Sequence, residues 1–275
     1  MLVCADLSYV DWDGIVEKEE VSLEEACRKY LSLYSEKELK SKYTFSINLP
    51  HLIDALQDTI RYGNIKLKNY KKVYSDEDVI QFSVVTLVLP DGSLVLSFSG
   101  TDGSITGWKE NLMMTYSKDL PCQILAKDYV KETIADIPET SYLFGLKKKK
   151  VYPKMYLTGH SKGGNLAMYA YLKNPKLQGY IEGVKSFDGP GFADGFWQGD
   201  EDVSKITNYI PKDSIVGRVL DHREQTKVMD AEGSGLVQHD TLMWSVDVKD
   251  FNYCDALTKE SDDLLLSLIH ISQPT

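Results

Sequence analysis

Between Val79 and Gly100 the chain reads VIQFSVVTLVLPDGSLVLSFSG, two runs of β-branched and aromatic residues around Pro90-Asp91-Gly92. This pattern predicts a β-hairpin entering a sheet. Downstream the periodicity alternates. A helical repeat over Gln123–Ile137 precedes an apolar strand at KMYLTG, a helix through GGNLAMYAYLKN, and strands at GVKSFDG and ITNYIP. Strands alternating with helices of this length predict a mostly parallel central sheet with helices on both faces.

Upstream of the hairpin the repeat is helical. In SLEEACRKYLSLYS, Ser22 stands three residues before Glu25 as a capping box, with Ala26, Tyr30, Leu31 and Leu33 as the apolar positions. A second helix is expected from about Pro50, carrying Leu52, Ile53, Leu56 and Ile60. There is no internal repeat and no low-complexity linker. The pattern therefore reads as one α/β domain over 1–266, with an N-terminal helical extension over about 1–77. The last nine residues, SLIHISQPT, follow the apolar DLLLSL without a cap or stop. They read as a non-native tail, 267–275, in which case the natural C-terminus would be missing.

Charge narrows the partners. The 275 residues carry a net charge of −10, so there is no broad basic footprint for nucleic acid and no attraction to anionic headgroups. The basic run Leu146–Lys150 is too short to reverse this and is expected as a solvated loop. The N-terminus shows no secretory pattern, and no stretch approaches the roughly 18 to 20 apolar residues of a membrane span. Cys4, Cys27, Cys122 and Cys254 are widely spaced without a C-x-x-C pair, which speaks against a zinc or redox motif. Reduced thiols and a cytoplasmic location are the resulting expectation. Small molecules or neutral lipids remain as partners, without stable membrane insertion.

One motif carries chemistry. Gly159-His160-Ser161-Lys162-Gly163 matches G-x-S-x-G, lying between an apolar strand and a helix. In that setting the turn strains the serine backbone, and side chains at Gly159 and Gly163 would collide with neighbouring chain. The serine hydroxyl is then presented at the sheet edge, and the helix start beneath it places the Lys162 N–H to donate to an oxyanion. The alternative is a serine that merely caps the helix.

A nucleophilic serine needs a base and an acid that orients it. Of the histidines, His270 is in the tail, His51 precedes the sheet, and His160 adjoins the serine with its side chain expected to point away. His239 in LVQHDTLMW suits a late loop, and His222 in LDHREQ is the reserve. For the acid, Asp213 follows the strand ITNYIP and Asp188 ends the strand before it. Asp213 is preferred and Asp188 held in reserve.

Together, LVLSFSGTDGSITGWKENL, LTGHSKGGNLA, KSFDGPGF and NYIPKDSIVG resemble the class 3, fungal-type lipases of the α/β-hydrolase fold. The likeness runs over roughly Val84 to Trp244, and the start LSYVDWDGIV resembles an uncharacterised bacterial branch of that family. The resemblance implies that Thr101 helps hold the oxyanion, with Ser99 in place of the family's usual arginine. It also implies that SITGWKENL is a lid, with Ile105 and Trp108 as its apolar residues, and that Asp188 before GPGF is structural. The implied activity is a serine hydrolase cleaving carboxylic esters, with no metal or organic cofactor. Thioester hydrolysis or acyl transfer by the same triad, or a non-catalytic binding scaffold, are the alternatives.

Overall fold

The computed structural model describes residues 1–42, 48–142, 147–248 and 250–263, and the 267–275 tail lies outside them. The hairpin forms where its pattern places it: β3 (Ile80–Val88) and β4 (Leu94–Phe98) pair antiparallel. β7 (Met155–His160), β8 (Ile181–Phe187), β9 (Ile206–Pro211) and β10 (Gln225–Met229) then continue from β4 as parallel neighbours.

At the other edge, β1 (Val21–Ser22) and β2 (Lys66–Ser75) complete an eight-stranded sheet of order β1-β2-β3-β4-β7-β8-β9-β10. The N-terminal extension is thus not wholly helical, because β2 pairs antiparallel with β3. Lysines and tyrosines dominate β2, which obscures its period-2 apolar pattern.

Alternation along β3 explains why both faces are covered. Phe82 and Val84 face the layer of α6 (Pro121–Ala135) and α7 (Lys162–Leu172), sharing one core with Phe98, Val130, Leu157 and Leu166. Val85 and Leu87 face the opposite layer, where α1 (Leu2–Leu7), α2 (Leu23–Ser32) and α4 (Leu49–Leu56) supply Leu7, Tyr30 and Ile53. Each such fully buried side chain contributes about 1.5–3 kcal/mol relative to exposure. α2 starts as its sequence predicts, with Ser22 Oγ accepting from the Glu25 N–H at 3.1 Å.

Four smaller elements lie outside this frame. α3 (Glu36–Lys42) lies between α2 and α4, and α5 (Ile105–Met113) follows β4. The expected loop at LKKKK is instead β6 (Lys147–Lys150), an antiparallel ribbon with β5 (Glu139–Tyr142). Strand pairing overrides the weak β propensity of lysine there. Among the described residues no helix is long and apolar enough to cross a membrane, and no group of side chains could hold a metal. All four cysteines are free thiols, three of them buried.

Candidate active site

The turn from β7 into α7 presents Ser161. Its backbone is left-handed, at φ 57° and ψ −130°, a region that a non-glycine residue occupies only under strain. A Cβ at Gly159 would fall on the Gly163 carbonyl group, and one at Gly163 on the Phe98 carbonyl, so both glycines are fixed by close approach. Ser161 occupies the N-cap position of α7 but its side chain makes no capping bond, which removes the helix-cap account of this residue. The N–H of Lys162 belongs to the first turn of α7, where leading N–H groups have no intrahelical acceptor.

Ser161 and His239 line one cavity of about 400 Å³. His239 is carried on a 3₁₀ turn, Gly235–His239, as a late loop histidine. Its Nδ1 lies 2.6 Å from Asp188 Oδ2. Asp188 is 1% exposed and follows β8 at φ 50°. Its second oxygen accepts from Ser214 Oγ at 2.5 Å and from the Gly217 N–H at 3.0 Å, so the carboxylate is held on three sides.

The preferred acid of the sequence reading, Asp213, does not reach His239. Its Oδ2 accepts from the Gln238 side chain at 3.1 Å, its own N–H donates to Gln238 Oε1 at 2.9 Å, and its Oδ1 accepts from Thr258. The reason is topological. β8 adjoins β7 in the sheet whereas β9 is one strand further, so a carboxylate leaving β8 stands about 4.8 Å nearer the serine. Asp213 instead fixes the residue beside the histidine. His222 is equally removed from the cavity wall, its Nδ1 held by Glu224 at 2.6 Å and its Nε2 by the Val219 carbonyl at 3.1 Å.

His160, set aside as a base in the sequence, shares the cavity with Ser161, and its ring nitrogens are engaged by other groups. Its ring lines the cavity with a centroid 4.5 Å from that of His239. Its Nε2 is 2.7 Å from the His239 carbonyl and its Nδ1 is 2.8 Å from the Tyr9 hydroxyl. A carbonyl only accepts, so Nε2 carries the proton and Nδ1 accepts from Tyr9. Burial, reinforced by His239 nearby, holds the His160 pKa well below the usual imidazole value, and the ring stays neutral.

Thr101 also lines the cavity, its hydroxyl donating to Asn111 Oδ1 at 3.0 Å. Asn111 sits on α5, the segment read as a lid. Trp108 is half exposed and lines the cavity, whereas Ile105 is 76% exposed and does not. The buried side of α5 is fastened from below. Glu110, fully buried, accepts from Lys162 Nζ at 2.5 Å, and Lys162 also donates to the Gln81 carbonyl at 2.7 Å and to its side-chain oxygen at 2.5 Å. The lysine after Ser161 therefore ties α7 to α5. The sequence signal for this was Lys162 itself, a charge at a position the helix buries.

The apolar part of the wall comes from Met114, Pro190, Val216, Val219, Leu220 and Leu236. The polar part adds Asp6, Tyr9, Asp240 and Thr241, which the sequence reading did not single out.

The Mbeg1-like family model matches residues 56–273, well over half of the chain. The chain belongs to the Mbeg1-like family. No curated protein matches it. Among solved structures, the Mbeg1-like chain is similar to mono- and diacylglycerol lipase from Aspergillus oryzae, with 12% identity, coverage of 94% and 84% of the two chains and a TM-score of 0.51. It is likewise similar to a mutant of MDLA from Penicillium cyclopium, at 12% identity, 95% and 87% coverage and a TM-score of 0.51. A fungal lipase matches at 13% identity, 95% and 87% coverage and the same TM-score. At these identities the likeness is one of fold, and the fold of this Mbeg1-like chain is that of the α/β-hydrolases.

Proposed function

We propose that this Mbeg1-like protein is a serine hydrolase that cleaves carboxylic esters through an acyl-enzyme on Ser161. The observation that carries this reading is the convergence of Ser161 and His239 on one cavity, with Asp188 bonded to the far nitrogen of that histidine.

In this reading, His239 Nε2 takes the Ser161 proton as Oγ attacks the ester carbonyl, and then gives it to the departing alcohol. Water, deprotonated by the same nitrogen, attacks the acyl carbon, and the carboxylic acid leaves with Ser161 restored. Asp188 keeps the proton on Nδ1 and stabilises the imidazolium that forms at each step. The backbone N–H groups of Lys162 and Thr101 stabilise the oxyanion, while the Thr101 hydroxyl, donating to Asn111 Oδ1, holds the Thr101 turn in place. The apolar wall around Met114, Val216 and Leu220 suits the acyl group of a small-molecule or lipid ester. The free buried thiols suit a reducing cytoplasmic setting.

The test is fluorophosphonate labelling of the purified protein, followed by rates on p-nitrophenyl esters of increasing chain length. Labelling of the wild type that disappears in Ser161→Ala, with the circular dichroism spectrum unchanged, is the expected result. An unlabelled wild type, or label that persists in the mutant, would remove the acyl-enzyme reading and leave a binding scaffold.

A further inference from the structure

The first nine residues lie outside the span matched by the Mbeg1-like family, yet they reach the segment that carries His239, directly from Asp6 and from Tyr9 by way of His160. Asp6, at the end of α1, accepts from the Thr241 hydroxyl at 2.5 Å across 235 residues of sequence. Tyr9 donates to His160, whose other nitrogen donates to the His239 carbonyl. The segment 239–241 is thus held from one side through a side-chain hydroxyl and from the other through its backbone. α1 itself is seated on the sheet, since Ser97 Oγ donates to the Cys4 carbonyl at 2.7 Å and Ser8 Oγ to the Phe98 carbonyl at 3.1 Å.

We propose that Asp6 and Tyr9 are positioning residues for His239, and that the neutral form of Asp6 is the one that seats its loop. The proposal rests on the serine-hydrolase reading for its effect on turnover, but not for its effect on the loop.

The geometry requires a neutral group at Asp6. Its Oδ2 is buried with no hydrogen-bond partner, so an ionised carboxylate there would be held only by the Thr241 hydroxyl and the weaker pull of the Met1 amino group. The groups coupled to it are Asp240 from the held segment and, from its own segment, Tyr9, Cys4 and the Met1 amino group, while His160 and His239 line the same cavity. Asp240 carries a like charge that repels an ionised Asp6, and this outweighs the attraction of the Met1 amino group. Burial pushes the Asp6 carboxyl up to about 7, with Asp240 adding to the rise. Above that pH the two carboxylates oppose each other across the hydroxyl bond that seats Thr241.

The experiment compares Tyr9→Phe, Asp6→Ala and Asp6→Asn with the wild type by steady-state kinetics and by hydrogen exchange of the peptide spanning 235–244. Tyr9→Phe and Asp6→Ala should lower kcat roughly 10- to 100-fold with KM changed less than about threefold, because misplacement of the base acts on the chemical step. Both should speed exchange of the 235–244 amides. Asp6→Asn keeps an acceptor for Thr241 and cannot ionise. It should run near the wild-type rate at pH 6 and lack the decline that the wild type shows above pH 7. Wild-type exchange in both Tyr9→Phe and Asp6→Ala, or an alkaline decline retained in Asp6→Asn, would overturn the proposal. A wild type that is not labelled by fluorophosphonate, while the exchange effects persist, would instead remove the hydrolase reading and leave the loop-seating role standing.

Discussion

The Nδ1 of His239 lies 2.6 Å from Asp188, while Asp213, two residues beyond the end of the next strand, holds Gln238. Adjacent residues of one loop are therefore fixed by carboxylates from adjacent strands. The two interactions do different work. Asp188 fixes the tautomer and orientation of the histidine, whereas the Asp213–Gln238 bonds set the path of the backbone that carries it.

Substitution separates them. Asp188→Ala should lower kcat by about 10³- to 10⁴-fold, the range lost when a triad acid no longer directs its histidine. Asp213→Ala removes the acceptor of Thr258 and one of the acceptors of Gln238 Nε2, which keeps the Ala231 and Gly233 carbonyls, and should reduce stability by about 1–3 kcal/mol. Its kcat should stay within about tenfold of wild type, because the histidine keeps its acid. Urea denaturation and steady-state rates check both, and a reversed pattern would return Asp213 to the triad.

The serine was legible because its signal is local: a strand, two glycines at fixed spacing, and a helix. The hairpin and the alternating strands were legible for the same reason. The acid was not, since Asp188 and Asp213 both end apolar strands and only the strand order of the folded sheet separates them. Tyr9 and Asp6 were beyond reach for a different reason: their partners lie 151 and 235 residues away, and no periodicity links them. Lys162 was read through its N–H alone, although a lysine within an apolar helix pattern is itself a sign of a buried partner.

That partner is Glu110, and the pair is buried on both sides. Lys162→Met should cost about 3–5 kcal/mol by leaving Glu110 uncompensated, and the double variant Lys162→Met with Glu110→Leu should recover at least half of that loss. Equal instability of the single and double variants in urea titrations would show that the two charges are not energetically coupled.

The same pair bears on the lid. Lifting α5 as a unit would separate Lys162 from Glu110 and break the hydrogen bonds from Thr106 to Asp76 and from Tyr74 to Thr106, the latter 3.2 Å long. A fixed α5 leaves no closed-to-open equilibrium for a lipid interface to shift. The rate on short-chain esters should therefore rise as a smooth saturation curve through the concentration at which the ester aggregates. Trp108→Ala should alter KM without changing the shape of that curve, because Trp108 lines the cavity. A jump at aggregation, removed by Trp108→Ala, would restore a moving lid.

Asp6 also makes stability depend on pH, with a sign that follows from its raised pKa. The folded protein holds this proton up to about pH 7, whereas the unfolded chain releases it near the ordinary aspartate value of 3.8. Between those values the native state binds more protons than the unfolded state, so stability falls as pH rises, and the loss is complete above about 7. The neutral imidazole of His160 acts in the opposite sense. Its lowered pKa means that the unfolded chain gains a proton first as pH falls, so stability also declines on the acid side. Comparing wild type with Asp6→Asn cancels the histidine contribution. The difference in unfolding free energy between them should grow by roughly 1–3 kcal/mol in favour of the variant from pH 4.5 to 8, the roughly 2.5 pH units between 4.5 and the raised value of about 7 setting the upper end. Urea titrations at a series of pH values measure it. A difference that stays constant across that range would mean that Asp6 titrates alike in the folded and unfolded states, and that its buried oxygen is not the source of the pH response.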